Sequence, residues 1–212
     1  MGVAQREIND PPKAPERLNW PLKCKAYEIL KEEDPKYKIF VVNSAAACLA
    51  HGLLALKAVE LRNEGKTCEE CLNWLENNKH TVNTFYTTDT LTYFYRSGRV
   101  SKTGLIISKA LGINPILNLN FEGKLLVVDK ARGKKQTIKN IVEKIKNTVL
   151  DPKNQTLYIG HADALDEAKE FAKEIKKEVK FKDIFYTYIG PTIGSNCGPG
   201  VKAFFYFGKT RK

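Results

Sequence analysis

Two runs of alternating apolar and polar residues, NPILNLNF at 114–121 and KLLVVDKA at 124–131, stand on either side of the dipeptide Glu122-Gly123. A period of two is the pattern of a strand with one covered face, and a two-residue connection ending in glycine closes such strands into an antiparallel hairpin. A chain carrying this pair has to build a sheet around it.

The rest of the sequence supplies strands and helices in turn. TVNTFYTT (81–88), TLYIGHA (156–162), KDIFYTYIG (182–190) and VKAFFYFG (201–208) read as further strands, as does YKIFVVN (37–43). Helices are expected over 22–34, from Ser44 to about Asn63 with an end at Gly65, over 68–78, just after Asp89, and from Ser101 to about Leu111. Two more follow from helical spacing of Ile138, Ile141, Val142 and Ile145, and of Leu165, Ala168, Phe171, Ala172 and Ile175. Thr67 and Glu70 have capping-box spacing, which starts the helix at 68. About ten residues join the last two strands, too few for a helical crossover, so these strands are expected to pair antiparallel. The fold class is α/β or α+β, with a mixed sheet flanked by helices.

The net charge of +11 on 212 residues raises a nucleic-acid reading. Lysine carries most of it and alternates with glutamate on helix faces, as in DEAKEFAKEIKKEVK at 166–180, which is the pattern of a solvated face. No nucleic acid is expected as a partner. No apolar run reaches the ~18–20 residues of a membrane span. The first twenty residues hold Asp10, Pro11, Pro12 and Pro15 and no apolar signal core, so a cytoplasmic protein with reduced cysteines is expected.

The least random segment is IGPTIGSNCGPG at 189–200. Four glycines and two prolines in twelve residues offer little side chain to bury; they set backbone geometry, and exposed amides in such a loop can face a carboxylate or phosphate. A long hairpin turn that needs glycine for steric reasons alone is the other reading. Two basic turns accompany it, RSGRVSKTG (96–104) before a helix start and ARGKK (131–135) after the hairpin. Cys68 and Cys71 lie inside a helix with no second pair to complete a zinc site, and read as structural, one thiol facing the core and one near the surface. His51, His80 and His161 are far apart, and no base or nucleophile is set beside a serine. The residues give no reason to expect catalysis, a metal or a cofactor.

Taken together, VVNSAAA, the helix after EGKT, TTDTLTYFYRSGRVSKTG, INPILNLNFEGKL, KARGKKQTI, YIGHAD and IGPTIGSNCGPG resemble the DegV family of bacterial fatty-acid-binding proteins, over about residues 25–208. The resemblance implies a two-domain protein with a long-chain fatty acid buried between the domains. It implies a non-catalytic carrier that presents its acid to a separate ATP-dependent kinase for phospholipid synthesis. On this resemblance Gly194, Ser195, Asn196 and Gly198 lie at the carboxylate, and Arg99 and Arg132 dock the kinase. Asn196 stands where many members carry a histidine. Residues 1–24 do not match, 25–80 correspond to the end of a first α/β domain, and 81–212 to the second domain. The family's leading segment, which supplies further hydroxyls to the carboxylate, is not recognisable. Two further readings of the residues are a basic interaction module and a fragment that no longer binds lipid.

Overall fold

The computed structural model describes residues 28–33, 39–102, 105 and 112–211. Among the described residues six strands, β1 (Val82–Thr87), β2 (Ile113–Leu119), β3 (Leu125–Arg132), β4 (Thr156–His161), β5 (Asp183–Tyr188) and β6 (Lys202–Phe207), form one mixed sheet in the order β3-β2-β1-β6-β4-β5. Every pairing is antiparallel except β4 with β5.

Helices cover both faces. On one lie α1 (Leu49–Asn63), α2 (Cys68–Asn78), α3 (Thr92–Arg96) and α6 (Pro191–Cys197); on the other lie α4 (Gly133–Thr148) and α5 (Leu165–Glu178). The strand period divides the core accordingly. Ala203 and Phe205 of β6 join Leu53, Leu54, Phe94 and Cys197, whereas Phe204 and Tyr206 join Ile141, Ile145, Phe171 and Ile175. A strand covered on both sides needs no polar alternation, which is why β6 reads as a continuous apolar run.

The expected hairpin is present as β2 and β3, with a difference at its tip. Its connection spans 120–124 rather than two residues, closed by Asn120 N–H to Lys124 O at 2.9 Å and Gly123 N–H to Asn120 O at 2.9 Å. Gly123 takes φ 74°, and the Asn120 side chain accepts from Lys124 N at 2.8 Å. A register shift at Ile116/Leu117 bends the pair.

Three other expectations change. Residues 39–43 make no strand, because β-rich composition favours an extended backbone but only pairing makes a strand, and no described strand edge meets them. The helix expected from Ser44 begins at Leu49: Ala45 and Cys48 hold φ of 45° and 56°, and the Ser44 hydroxyl is engaged locally by Ala46 and by His51 Nδ1 at 3.1 Å. Finally, β5 and β6 are not neighbours. β4 lies between them, joined to β5 in parallel through α5 and paired antiparallel with β6. Residues 28–33 are helical, within the first expected helix, while most of the helix expected after Ser101 lies outside the described residues.

The capping box at α2 forms as its sequence predicts. Thr67 Oγ1 accepts from Glu70 N at 3.2 Å, and Glu70 Oε2 accepts from Thr67 N at 2.8 Å. Thr67→Ala removes one of the two bonds and is expected to cost about 1 kcal/mol, read as a lower midpoint of urea unfolding. The lysines also behave as solvated-face residues, with Lys57–Glu60, Lys146–Glu178 and Lys177–Glu174 paired at 3.0, 2.8 and 2.7 Å.

Candidate functional site

The glycine-rich segment sits at the carboxyl ends of β4 and β5. Ile189 N donates to His161 O at 2.8 Å, turning the chain off β5, and Pro191 then opens α6 as its first residue. The segment is therefore a short helix followed by a turn, and its amides are largely used within the fold. Gly194 N donates to Gly190 O at 2.8 Å, Gly198 N to Gly194 O at 2.8 Å, and Gly200 N to Ala162 O at 2.7 Å. This corrects the expectation of an open cradle of amides: helix hydrogen bonding takes up donors that a loop leaves free.

Side chains therefore carry the polar character of α6. Ser195 is exposed, with its hydroxyl 3.3 Å from Thr192 O, and Asn196 Nδ2 donates to the same carbonyl at 2.7 Å. Ser97 Oγ donates to Asn196 O at 3.1 Å, which ties α6 to the end of α3. Gly198 is buried at φ 75° directly under the Tyr93 ring, a place without room for a Cβ. Arg99, exposed, folds its guanidinium back onto Ser97 O in the same turn. Arg132 is exposed on the edge strand β3, at the entry to α4.

Next to α6 lies the feature that sequence reading missed. An open groove of about 680 Å³ runs between α1 and the β4–β5 edge. Leu49, Leu53, Leu56 and Val59 form one wall, and Tyr158 and Phe185 the other, with Thr156 and Asp183 at one end. Leu56 and Phe185 are about half exposed, at 49% and 51%, so two large apolar side chains face each other across open space. Gly52 opens the helix wall, since a Cβ there would meet nothing within 4 Å. At the opposite end, Leu49 of the groove and Ile189, which precedes α6, both approach Gly160 near the end of β4. The nearly continuous apolarity of residues 49–59 was the signal. It did not show that Leu56 and Val59 would stay exposed, or that a strand edge would face them.

A smaller polar cavity of about 170 Å³ lies on the other side of the sheet, where Lys202 is almost fully buried and paired with Glu167 at 2.6 Å. Among the described residues no cluster of His, Cys, Asp or Glu is arranged to hold a metal ion, and no helix is long and apolar enough to cross a membrane.

The histidines serve separate structural roles. His161 is buried, its Nδ1 lies 3.5 Å from Ala164 N, and its ring is 4.5 Å from that of Tyr188. His80 stacks on Phe121 of the hairpin tip at 3.6 Å. Burial pushes both below the ordinary histidine value, with Arg211 and Lys79 adding to the effect at His80. The unfolded chain then takes up more protons than the fold once pH drops below about 6.5, so stability present above that value is lost on acidification. The urea midpoint is expected to fall between pH 7.5 and 5.5, and His161→Gln to flatten that fall.

The described residues thus form a mixed sheet with helices on both faces and an open apolar groove between α1 and the β4–β5 edge. The family model described as "Uncharacterised protein, DegV family" matches residues 24–209, and this chain belongs to the DegV family. A DegV domain-containing protein of Clostridium perfringens is 36% identical over 187 residues, covering 88% of this chain and 64% of that protein. The chain thus spans a little under two thirds of the length of that relative. Among solved structures, a DegV family protein from Eubacterium eligens loaded with heptadecanoic acid aligns with TM-score 0.81 at 22% identity, over 88% of this chain and 67% of that one. The Streptococcus pneumoniae fatty acid kinase (Fak) B3 protein loaded with linoleic acid aligns with TM-score 0.77 at 19% identity, over 87% and 65%. These likenesses establish the fold.

Proposed function

We propose that this chain binds a long-chain fatty acid and carries it without transforming it. The acyl tail occupies the groove between α1 and the β4–β5 edge, and the carboxylate lies at the Leu49 end, toward α6. There the Ser195 hydroxyl, turned from Thr192 O, and the second amide hydrogen of Asn196 meet the carboxylate, while Gly194 and Gly198 set the backbone of the short helix and turn that carry them. The observation that carries the reading is the apolar groove itself, large enough for an alkyl chain. Each methylene withdrawn from water contributes about 0.8 kcal/mol, and a carboxylate leaving water needs donors to offset its desolvation. The fatty acids in the two solved relatives support the same ligand class.

In this reading the cargo is handed to a separate ATP-dependent kinase, with the exposed Arg99 and Arg132 meeting the partner, since guanidinium forks suit acidic or phosphate groups. Residues 81–212 act as a second domain and 25–80 as the end of a first. The test is native mass spectrometry of the delipidated chain with oleate or palmitate. A one-to-one complex with either acid is expected, and no uptake of either would refute the carrier reading.

A further inference from the structure

The thiols of Cys68 and Cys71 line neither the groove nor α6. They occupy the first and fourth positions of α2, a helix in which none of the side chains is buried. Cys68 is exposed and Cys71 half-buried, and neither belongs to the two apolar clusters. Cys71 shares a helix face with the half-buried Trp74 and Leu75 and so leans toward the core, while Cys68 stays at the surface, and neither thiol is sealed from solvent. A third ligand for a zinc ion is also missing among the described residues. What remains is a pair of solvent-reachable thiols on one helix face.

The spacing suits a bond between them. Residues three apart on an α-helix have Cα atoms about 5 Å apart, from a rise of about 1.5 Å per residue and a radius of about 2.3 Å. That lies inside the range of roughly 4.4–6.8 Å spanned by disulfides. The capping box holds this turn in helical form, so the two sulfurs are presented together rather than on a frayed end.

We propose that Cys68 and Cys71 are a redox-active vicinal dithiol that exchanges with small-molecule disulfides and closes into an intrahelical disulfide. In the first step Cys68 Sγ attacks one sulfur of the oxidised partner, forming a mixed disulfide; one partner thiol leaves with the proton that Cys68 gives up. In the second, Cys71 Sγ attacks Cys68 Sγ, the mixed bond breaks, and a second partner thiol leaves with the proton from Cys71. Two protein thiols are oxidised and one disulfide is reduced to two thiols. Among the described cysteines the exchange is confined to this pair. Cys197 is buried, with desolvation pushing its thiol up to about 11, and burial raises that of Cys48 as well.

The experiment equilibrates the full chain with a series of oxidised and reduced glutathione, quenches with acid, alkylates, and digests with trypsin. Cleavage after Lys66 and Lys79 places both cysteines in one peptide, residues 67–79. In the oxidising half of the series that peptide is expected to be lighter by two hydrogens and to carry no alkyl group. Cys71→Ser should lose the linked form completely and retain glutathione on Cys68. Phenylarsine oxide, which bridges two thiols, should be held by the native chain and released by either single serine variant. A native peptide that stays doubly alkylated throughout, or that gains two glutathiones in place of an internal bond, would overturn the proposal. So would arsenical retention by the serine variants.

Discussion

Gly198→Ala is expected to destabilise the fold by about 3 kcal/mol, the largest effect of any single methyl group added near α6. Two costs combine. At φ 75° and ψ 177° the residue occupies a region essentially restricted to glycine, where a Cβ costs roughly 1–3 kcal/mol. The new methyl also points into the Tyr93 ring, which is held in α3, and forced overpacking costs about 1–3 kcal/mol. Urea unfolding measures the sum, and a double-mutant cycle with Tyr93→Ala separates the parts. The steric share should be recovered in the double variant, whereas the backbone share should persist. Equal loss in Gly198→Ala with and without the ring would mean that Tyr93 moves aside freely.

Gly52→Leu should do the reverse, abolishing fatty-acid uptake while leaving the fold intact or firmer. Position 52 lies within α1, where glycine costs about 1 kcal/mol relative to good helix formers. A Cβ at this position meets no atom within 4 Å, so the added side chain extends into the groove between Leu56 and Tyr158 without disturbing the packing behind it. Filling that space removes the room for the tail. The measurements are acid uptake by native mass spectrometry and the midpoint of thermal unfolding. Undiminished binding by a stable Gly52→Leu protein would move the tail out of this groove.

Elements whose information is local were legible in the sequence. The capping box, the hairpin strands, and the helical spacings of α4 and α5 all came through, because each depends on contacts within a few residues. What stayed hidden depends on distant partners. The separation of β5 from β6 is decided by β4 inserting between them, and loop length alone does not reveal that. The segment at 189–200 was found from its composition, but its conformation was not, since Pro191 at a helix start and glycines in a loop look alike in a sequence. At the N-terminal side, residues 39–43 carry strand composition with no described strand to pair with. The groove followed the same rule: one wall was written in α1, while the other is the half-exposed edge of β4 and β5.

The position of β6 governs the order in which the molecule can be completed. Among the described strands it is the link between the β3-β2-β1 half and the β4-β5 half, and it is also the last to be synthesised. Its contacts with β1 join Val82 to Phe207, so closing them requires a long intervening chain to be drawn in. While the ribosome is still working, two half-sheets wait with bare edges. Chaperone capture should therefore fall once β6 has emerged, and removal of Lys202–Phe207 should be far more damaging than an equal loss from a surface loop.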